Sequence, residues 1–337
     1  MKGFFFAVGF VLVLFVLNGV LSGSLVPGLS ISPYYLQILS LAGINIILAV
    51  SLNLINGFTG QFSIGHAGFM AIGGYVSAFL SLTFGDRLRE ALGFLPASAQ
   101  NAVLLLLVLA AAALCAAVAG FFVGVPSLRL RGDYLAIVTL GFGEIIRVFI
   151  LNIDAVGGAR GLGGMPQLAN FFWIYLFAAA TILVVSRIVR SSFGRTLIAI
   201  REDEIAAEAM GVNTTRSKVI SFVVSSAMAG VAGGLFAHYL MYLHTNSFTF
   251  IKSFEIIIMV VIGGLGSITG SVLGAVLFIG LTEGLRQFAE YRMLLFSLLL
   301  VVIMIVRPQG LLGHRELWTF LKRRRKTAPV TPPTVSG

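Results

Sequence analysis

The chain has 337 residues, of which 58% are hydrophobic and only 11% are charged, and its mean hydropathy is +1.00. A soluble globular protein usually has about 25% charged residues, so this composition excludes a soluble domain and indicates an integral membrane protein. Much of the formal net charge of +10 lies in short segments between apolar blocks and in residues 322–326. That distribution is typical of cytoplasmic loops and argues against nucleic-acid binding.

The apolar residues come in blocks of about 20, the length of a membrane-spanning helix. Alternation with a period of two is weak, which argues against a β-barrel. We therefore predict an all-α integral membrane protein with about ten transmembrane helices. The predicted spans, in chain order, are Phe4–Leu21, Tyr34–Ile55, Gly60–Phe84, Ala102–Val125, Asp133–Leu151, Phe171–Ile188, Lys218–Leu243, Phe254–Gly263, Ser267–Leu285 and Met293–Val306.

The first span could instead be a signal peptide, but its apolar run of about 18 residues is longer than the usual apolar region of such peptides. Between the eighth and ninth spans, the sequence Gly263-Gly264-Leu265-Gly266 interrupts the apolar run. The eighth span is too short to cross a bilayer alone. We therefore expect one or more broken or re-entrant segments there, with irregular backbone buried in protein.

The segment from Gly57 to Gly74 reads GFTGQFSIGHAGFMAIGG and mixes glycines with polar side chains. A lipid-facing helix has no need of that mixture. It indicates membrane elements packed with their backbones nearly touching, around a hydrophilic path or simply against each other. The residues that carry this hypothesis are Gly57, Gly60, Gln61, Ser63 and His66, and Gly65 and Gly68 are expected to pack in the same way.

Glu144 and Arg147 stand three residues apart within the fifth predicted span, so the two charges can neutralise each other on one helix face. Intramembrane charges usually face the bundle interior. A structural pair is the favoured interpretation, and a role in the substrate path or in gating is the alternative. For His66, a hydrogen bond to a neighbouring span is favoured over contact with substrate.

The sizeable polar loop, residues 190–217, contains SSFGRTLIAIREDEIAAEAMGVN. Acidic residues at 202–204 suit a helix N-terminus, and Gly211 supplies a helix stop. The sequence predicts one short amphipathic helix from Glu202 to Met210. Its apolar stripe comprises Ile205, Ala206, Ala209 and Met210, and we also expect Ala207 to be exposed for contact. Acidic rather than basic polar residues favour a protein partner over lipid headgroups.

Ten spans place both termini in the cytoplasm. Six Lys and Arg residues then lie outside (87, 89, 160, 252, 286 and 292), Arg147 lies within a span, and the other sixteen of the 23 lie inside. Nine spans would export the basic tail, against the positive-inside rule. We therefore predict a transmembrane domain over residues 1–320 and a cytoplasmic tail over 321–337 that is first basic and then disordered.

The sequence has no phosphate-binding loop, no H-E-x-x-H and no G-x-S-x-G motif, and its single cysteine and four histidines do not cluster. We therefore predict that the chain is not an enzyme and binds no cofactor itself.

The loop resembles the degenerate "EAA" loop with which ABC-transporter permeases dock onto their ATPase subunits. Ala206-Ala207 and Gly211 match its core, whereas Ile205 stands where the glutamate belongs and Glu204 is adjacent. The resemblance implies ATPase coupling through Glu202, Glu204, Ala206, Ala207, Met210 and Gly211. Residues 51–75, 131–152 and 260–275 are similar to the high-affinity branched-chain amino-acid importers, in particular to the M-type permease subunit.

This resemblance implies a permease of the type II ABC-importer class in the inner membrane of a bacterium. The implied partners are a second homologous permease, two ATPases that use ATP, and a solute-binding protein. Two alternatives stay open at this point, a urea permease of the same family and an ion-coupled secondary transporter.

Overall fold

The computed structural model describes residues 13–19, 32–130, 132–306 and 310–311. These residues form a helical bundle with one two-stranded antiparallel sheet, so the predicted all-α membrane class is confirmed. The helices are α1 Pro33–Asn53, α2 His66–Ala91, α3 Ala97–Ser127, α4 Asp133–Leu151, α5 Phe171–Arg190, α6 Ser192–Glu202, α7 Glu204–Ala209, α8 Thr214–Leu240, α9 Phe250–Gly263, α10 Ile268–Gly284 and α11 Arg292–Val306. The strands are β1 Leu162–Gly163 and β2 Tyr242–Leu243.

Seven segments of the described chain are long and apolar enough to cross a membrane. They are Pro33–Phe58, His66–Ala91, Ala97–Ser127, Asp133–Leu151, Phe171–Arg190, Thr214–Leu240 and Thr245–Gly263. The predicted count of ten is not reached within the described residues. Most of the predicted first span lies outside those residues, and the predicted ninth and tenth spans appear as helices of 17 and 15 residues.

The predicted eighth span is a helix of 14 residues that begins at Phe250, and a 3₁₀ turn over Thr245–Phe248 precedes it. This turn is why the span reaches 19 residues in the structure. The predicted interruption is present, because α9 ends at Gly263 and α10 begins at Ile268. Gly264 and Gly266 adopt positive φ angles of 114° and 81° in the turn between them, a conformation that other residues rarely take.

α9 and α10 pack against each other as an antiparallel hairpin with almost no space between their backbones. A Cβ atom on Gly263 would lie 2.1 Å from the carbonyl oxygen of Gly270, and one on Gly274 would lie 2.0 Å from that of Met259. Only glycine permits this approach. The hairpin therefore behaves as one packed unit and not as two separate helices.

α2, α3 and α8 pack closely against one another, and glycines again set the distances. A Cβ atom on Gly233 of α8 would lie 1.9 Å from the carbonyl oxygen of Met70 in α2. One on Gly230 would lie 2.5 Å from the Cβ atom of Ala116 in α3. Lipid tails are as apolar as the helices, so association depends on such close van der Waals contact.

We predict that Gly233→Ala destabilises the bundle by about 1–3 kcal/mol, because the added methyl group overpacks the contact with α2. Gly280→Ala is the matched control, since a Cβ atom there has no neighbour within 4 Å and alanine favours helix over glycine. Thermal unfolding of the detergent-solubilised protein measures both. Equal midpoints for the two variants would contradict the close packing of α2 and α8.

Candidate coupling site

The polar loop folds as two helices with a break at Asp203, so the predicted single helix from Glu202 to Met210 is wrong. Asp203 has an extended backbone (φ −156°, ψ 110°). Its carboxylate accepts hydrogen bonds from the backbone N–H groups of Ile205 and Ala206 at 2.9 and 3.0 Å. Aspartate is a favoured N-cap because it satisfies such free N–H groups. Glu202 therefore ends α6, and Glu204 begins α7.

α7 ends where the sequence predicts a stop. Met210 caps the helix, and Gly211 follows with a φ of +84°. The N–H of Val212 donates to the carbonyl of Ala207 at 3.1 Å, which closes the end of the helix. A glycine in the left-handed region after the last turn is a common helix terminator.

The exposed face of α7 carries four apolar side chains beside Glu208, which is also exposed. Ile205 is 68% exposed and Met210 is 85% exposed, and Ala206 and Ala209 lie exposed beside them. The predicted exposure of Ala207 is wrong, because this residue is only 5% exposed. One turn of helix carries neighbouring residues to different faces, and Ala207 is on the face that packs against the protein.

Glu204 also points toward the protein, where it holds α7 in place. Its carboxylate lies 2.6 Å from the Nζ atom of Lys218 in α8, and the lysine side chain is only 2% exposed. A second bond runs from the Thr214 hydroxyl to the Glu208 carboxylate at 2.5 Å. A buried charge is tolerated only when it is paired, so this ion pair fixes α7 against the start of α8.

The glycine-rich segment begins with an unusual turn at the end of α1. Residues Leu54–Phe58 form a buried π-helical turn, and such turns are often found at functional sites. Gly60 follows with a φ of +72°, and the chain then runs without helix until His66 begins α2.

Two asparagines satisfy the backbone groups that this break leaves free. The Asn56 side chain donates to the Ser63 carbonyl at 3.3 Å and accepts from the Ser63 N–H at 3.1 Å. The Asn53 side chain makes the same pair of bonds with the turn between α9 and α10, to the carbonyl of Ser267 and from the N–H of Gly266, both at 2.9 Å. The end of α1 is thereby joined to Ser63, which precedes α2, and to the turn between α9 and α10.

Four glycines of the segment lie against the backbone of other elements. If each glycine carried a Cβ atom, that atom would lie very close to a backbone atom of another element. The nearest such atoms are Gly266 N for Gly57 (2.3 Å), Arg201 Cα for Gly60 (3.2 Å), Thr139 O for Gly65 (2.3 Å) and Gly143 Cα for Gly68 (2.9 Å). The same residues therefore connect α1 and α2 with α4, α6 and the turn after α9.

Among the polar residues of the segment, His66 is bonded through its side chain, and Ser63 and Gln61 are bonded through their backbones. His66 Nε2 lies 2.8 Å from the hydroxyl of Ser51 in α1, the hydrogen bond to a neighbouring span that we predicted. Ser63 is buried, and its backbone N–H donates to the Asn56 side chain. Gln61 is half-buried, and its backbone N–H donates to the carbonyl of Ile55 at 3.1 Å.

Glu144 and Arg147 pair as the sequence predicts, with Oε2 and Nε 2.7 Å apart. The other carboxylate oxygen of Glu144 accepts the N–H of Phe250 at 3.0 Å. Glu144 therefore satisfies a free N–H at the start of α9, where a negative charge is also favoured by the helix dipole. Both of its oxygens serve structural contacts.

The loop 190–217 and the glycine-rich segment are in direct contact through a residue that the sequence analysis did not single out. Arg201, in the last turn of α6, donates from Nη1 to the carbonyl of Gly57 at 3.0 Å. The two residues are 144 positions apart in the chain, so no local pattern points to their contact. Asn53 and Lys218 were missed as well, although a polar residue inside an apolar block is a usable signal.

The sequence of the chain matches one protein family over most of its length. Its sequence model, described as "Branched-chain amino acid transport system / permease component", matches residues 34–306. The chain belongs to this family. The predicted family membership is thereby confirmed, and so is the prediction that this permease component is not itself an enzyme.

The permease has relatives of both subunit types. It is 40% identical over 311 residues to the branched-chain amino acid permease LivM of Salmonella typhimurium, covering 82% of this chain and 69% of the relative. It is 28% identical to the probable LivM of Methanocaldococcus jannaschii, covering 82% and 92%. Escherichia coli LivH is 34% identical over 149 residues, covering 43% and 47%. No solved structure is a significant match.

We predict that Lys218→Met loosens α7, because it removes the ion pair that joins Glu204 to α8. Trypsin should then cleave next to the exposed Arg216 several times faster than in the parent permease. The double variant Lys218→Met/Glu204→Gln removes both charges and should restore most of the resistance. Unchanged cleavage in the single variant would contradict the anchoring role of this pair.

Proposed function

We propose that this permease is the transmembrane subunit of an ATP-driven ABC importer for branched-chain or related amino acids. The observation that carries the proposal is the short helix α7, which is anchored by a buried ion pair and presents Ile205 and Met210 to solvent. An exposed apolar pair on a rigid helix suits insertion into a groove of a partner protein. Family membership supplies the kind of transport system.

In the proposed assembly, partner proteins hydrolyse ATP, complete the pore and deliver the substrate. Two ATPase subunits bind and hydrolyse ATP, and this chain binds no cofactor. A second, homologous permease completes the pore in a heterodimer, an arrangement supported by the similarity to both LivM and LivH. A solute-binding protein delivers the amino acid on the outer side.

The proposed mechanism is alternating access. Closure of the ATPases on ATP moves α7, and the membrane helices rock between an outward-open and an inward-open arrangement. An apolar substrate side chain needs few charged groups along its path. We assign Gly57, Gly60, Ser63 and His66 to packing that lets helices move as units, and the Glu144–Arg147 pair to the same structural role.

We place the subunit in the cytoplasmic membrane of a bacterium, with the loop 190–217 and both termini in the cytoplasm. The positive-inside distribution supports this orientation. The tail over 321–337 lies outside the described residues. Among the alternatives, the comparisons support the amino-acid system and not a urea permease or an ion-coupled secondary transporter.

We predict that Met210→Arg weakens ATPase association by roughly 2 kcal/mol, about thirtyfold, because a charge replaces an apolar anchor of the interface. Met241→Arg is the matched control, since Met241 is also exposed but lies after α8, on the outer side of the proposed topology. Co-purification of the ATPases from the assembled complex measures both variants. If Met210→Arg keeps full association and substrate-stimulated ATP hydrolysis, α7 is not the docking helix.

We predict opposite accessibility for two loops in intact cells. In a Cys115→Ser background, a membrane-impermeant maleimide should label a cysteine at Phe94, which lies exposed between α2 and α3. It should not label a cysteine at Glu208 until the membrane is permeabilised. Labelling at position 208 from outside would contradict the proposed orientation.

A further inference from the structure

We propose that Arg201 transmits movement of the docking helix α7 into the membrane part of the permease. This inference rests on the proposed function, because it presumes that α7 receives the motion of the ATPases. It adds a specific residue and a specific route, from α6 to the π-helical turn and from there to the α9–α10 hairpin.

Arg201 is rigidly connected to the docking helix. It stands two residues before Asp203, the N-cap of α7, and the N–H of Asp203 donates to the carbonyl of Ala199 in α6 at 3.1 Å. The last turn of α6 and the first turn of α7 therefore share one hydrogen-bonded junction. A displacement of α7 also displaces the backbone of Arg201.

The guanidinium group of Arg201 is held in a fixed orientation. Nη2 and Nε lie 2.6 and 3.2 Å from one carboxylate oxygen of Glu202, and Nη1 donates to the Gly57 carbonyl at 3.0 Å. The side chain is 23% exposed. A planar guanidinium can make these bonds at once, whereas an ammonium group is a single point of charge.

The stem of Arg201 also fills the space beside the backbone of the glycine-rich segment. A Cβ atom on Gly60 would lie 2.7 Å from Arg201 Cγ and 3.2 Å from Arg201 Cα. Arg201 therefore contacts the glycine-rich segment at two points, by a hydrogen bond at Gly57 and by packing at Gly60. Movement of α6 in either direction acts on the turn at the end of α1.

From Gly57 the route continues without a gap. The Asn53 side chain, one turn earlier, is bonded to both Gly266 and Ser267 between α9 and α10. A Cβ atom on Gly57 would lie 1.8 Å from Asn53 Oδ1 and 2.3 Å from Gly266 N. Because the packed groups leave no free space, a shift of Gly57 has to move the turn of the hairpin.

The test uses the complete importer in lipid vesicles, with substrate uptake and ATP hydrolysis measured together. Arg201→Met keeps a stem that packs on Gly60 and removes the guanidinium. We expect uptake per ATP hydrolysed to fall at least tenfold while ATPase co-purification is unchanged. Arg201→Lys should recover part of the loss. Arg195→Met is the matched control, since Arg195 is exposed on α6 and bonds Ser192 within its own helix.

A distance measurement distinguishes transmission from a general structural role. In a Cys115→Ser background, spin labels at Ala199 and Leu265 report on α6 and on the α9–α10 turn. We expect the distance between each label and a third label on α2, at Thr83, to change when ATP binds to the parent complex. In Arg201→Met the change at Ala199 should persist and the change at Leu265 should be lost.

Two results would overturn the proposal. Parental uptake per ATP in Arg201→Met would show that the contact with Gly57 is dispensable. Loss of ATPase association in the same variant would assign Arg201 to docking and not to transmission. Neither result bears on the docking role of α7, which is decided separately by Met210→Arg.

Discussion

Every interruption of a helix within the membrane bundle leaves backbone N–H and C=O groups that need partners, and the arrangement of this permease depends on how those groups are satisfied. Those groups that are buried in the protein cannot bond to water, and each one left unsatisfied costs about 1–3 kcal/mol. Asn53 and Asn56 supply partners at the end of α1 and at the α9–α10 turn. The Thr139 hydroxyl of α4 does the same for the N–H of Ile64. The polar side chains of the bundle thereby determine where its helices can stop.

Close packing follows from the same breaks. A side-chain amide reaches a neighbouring backbone only over a short distance, so the elements around it must approach each other closely. Glycine at Gly57, Gly263 and Gly274 permits that approach. The bundle is consequently a set of tightly fitted units, in which a displacement at one surface is carried to the next contact and is not absorbed by loose side chains.

The sequence predicted those elements whose signal is local. Apolar blocks of sufficient length located α1 to α5 and α8, and the glycines at 263–266 located the break after α9. The sequence also predicted that the loop 190–217 is helical and that its helix stops at Gly211.

The failures arose where one local preference overrode another. Asp203 serves as an N-cap and divides the predicted helix, and this turns Glu204 and Ala207 toward the protein. The contacts of Arg201 with Gly57 and of Asn53 with Ser267 join residues far apart in sequence. No single-chain pattern encodes such pairs.

The α9–α10 hairpin has a consequence for how the protein is made. Its first helix reaches 19 residues together with the 3₁₀ turn that precedes it, but its second helix has only 17 residues, fewer than the roughly 20 that span a bilayer. Their glycine faces are complete only when they are paired. During synthesis, the second helix therefore has little to hold it across the membrane until it packs on the first. The hairpin is suited to enter the bilayer as one folded unit, onto a bundle that already presents Asn53.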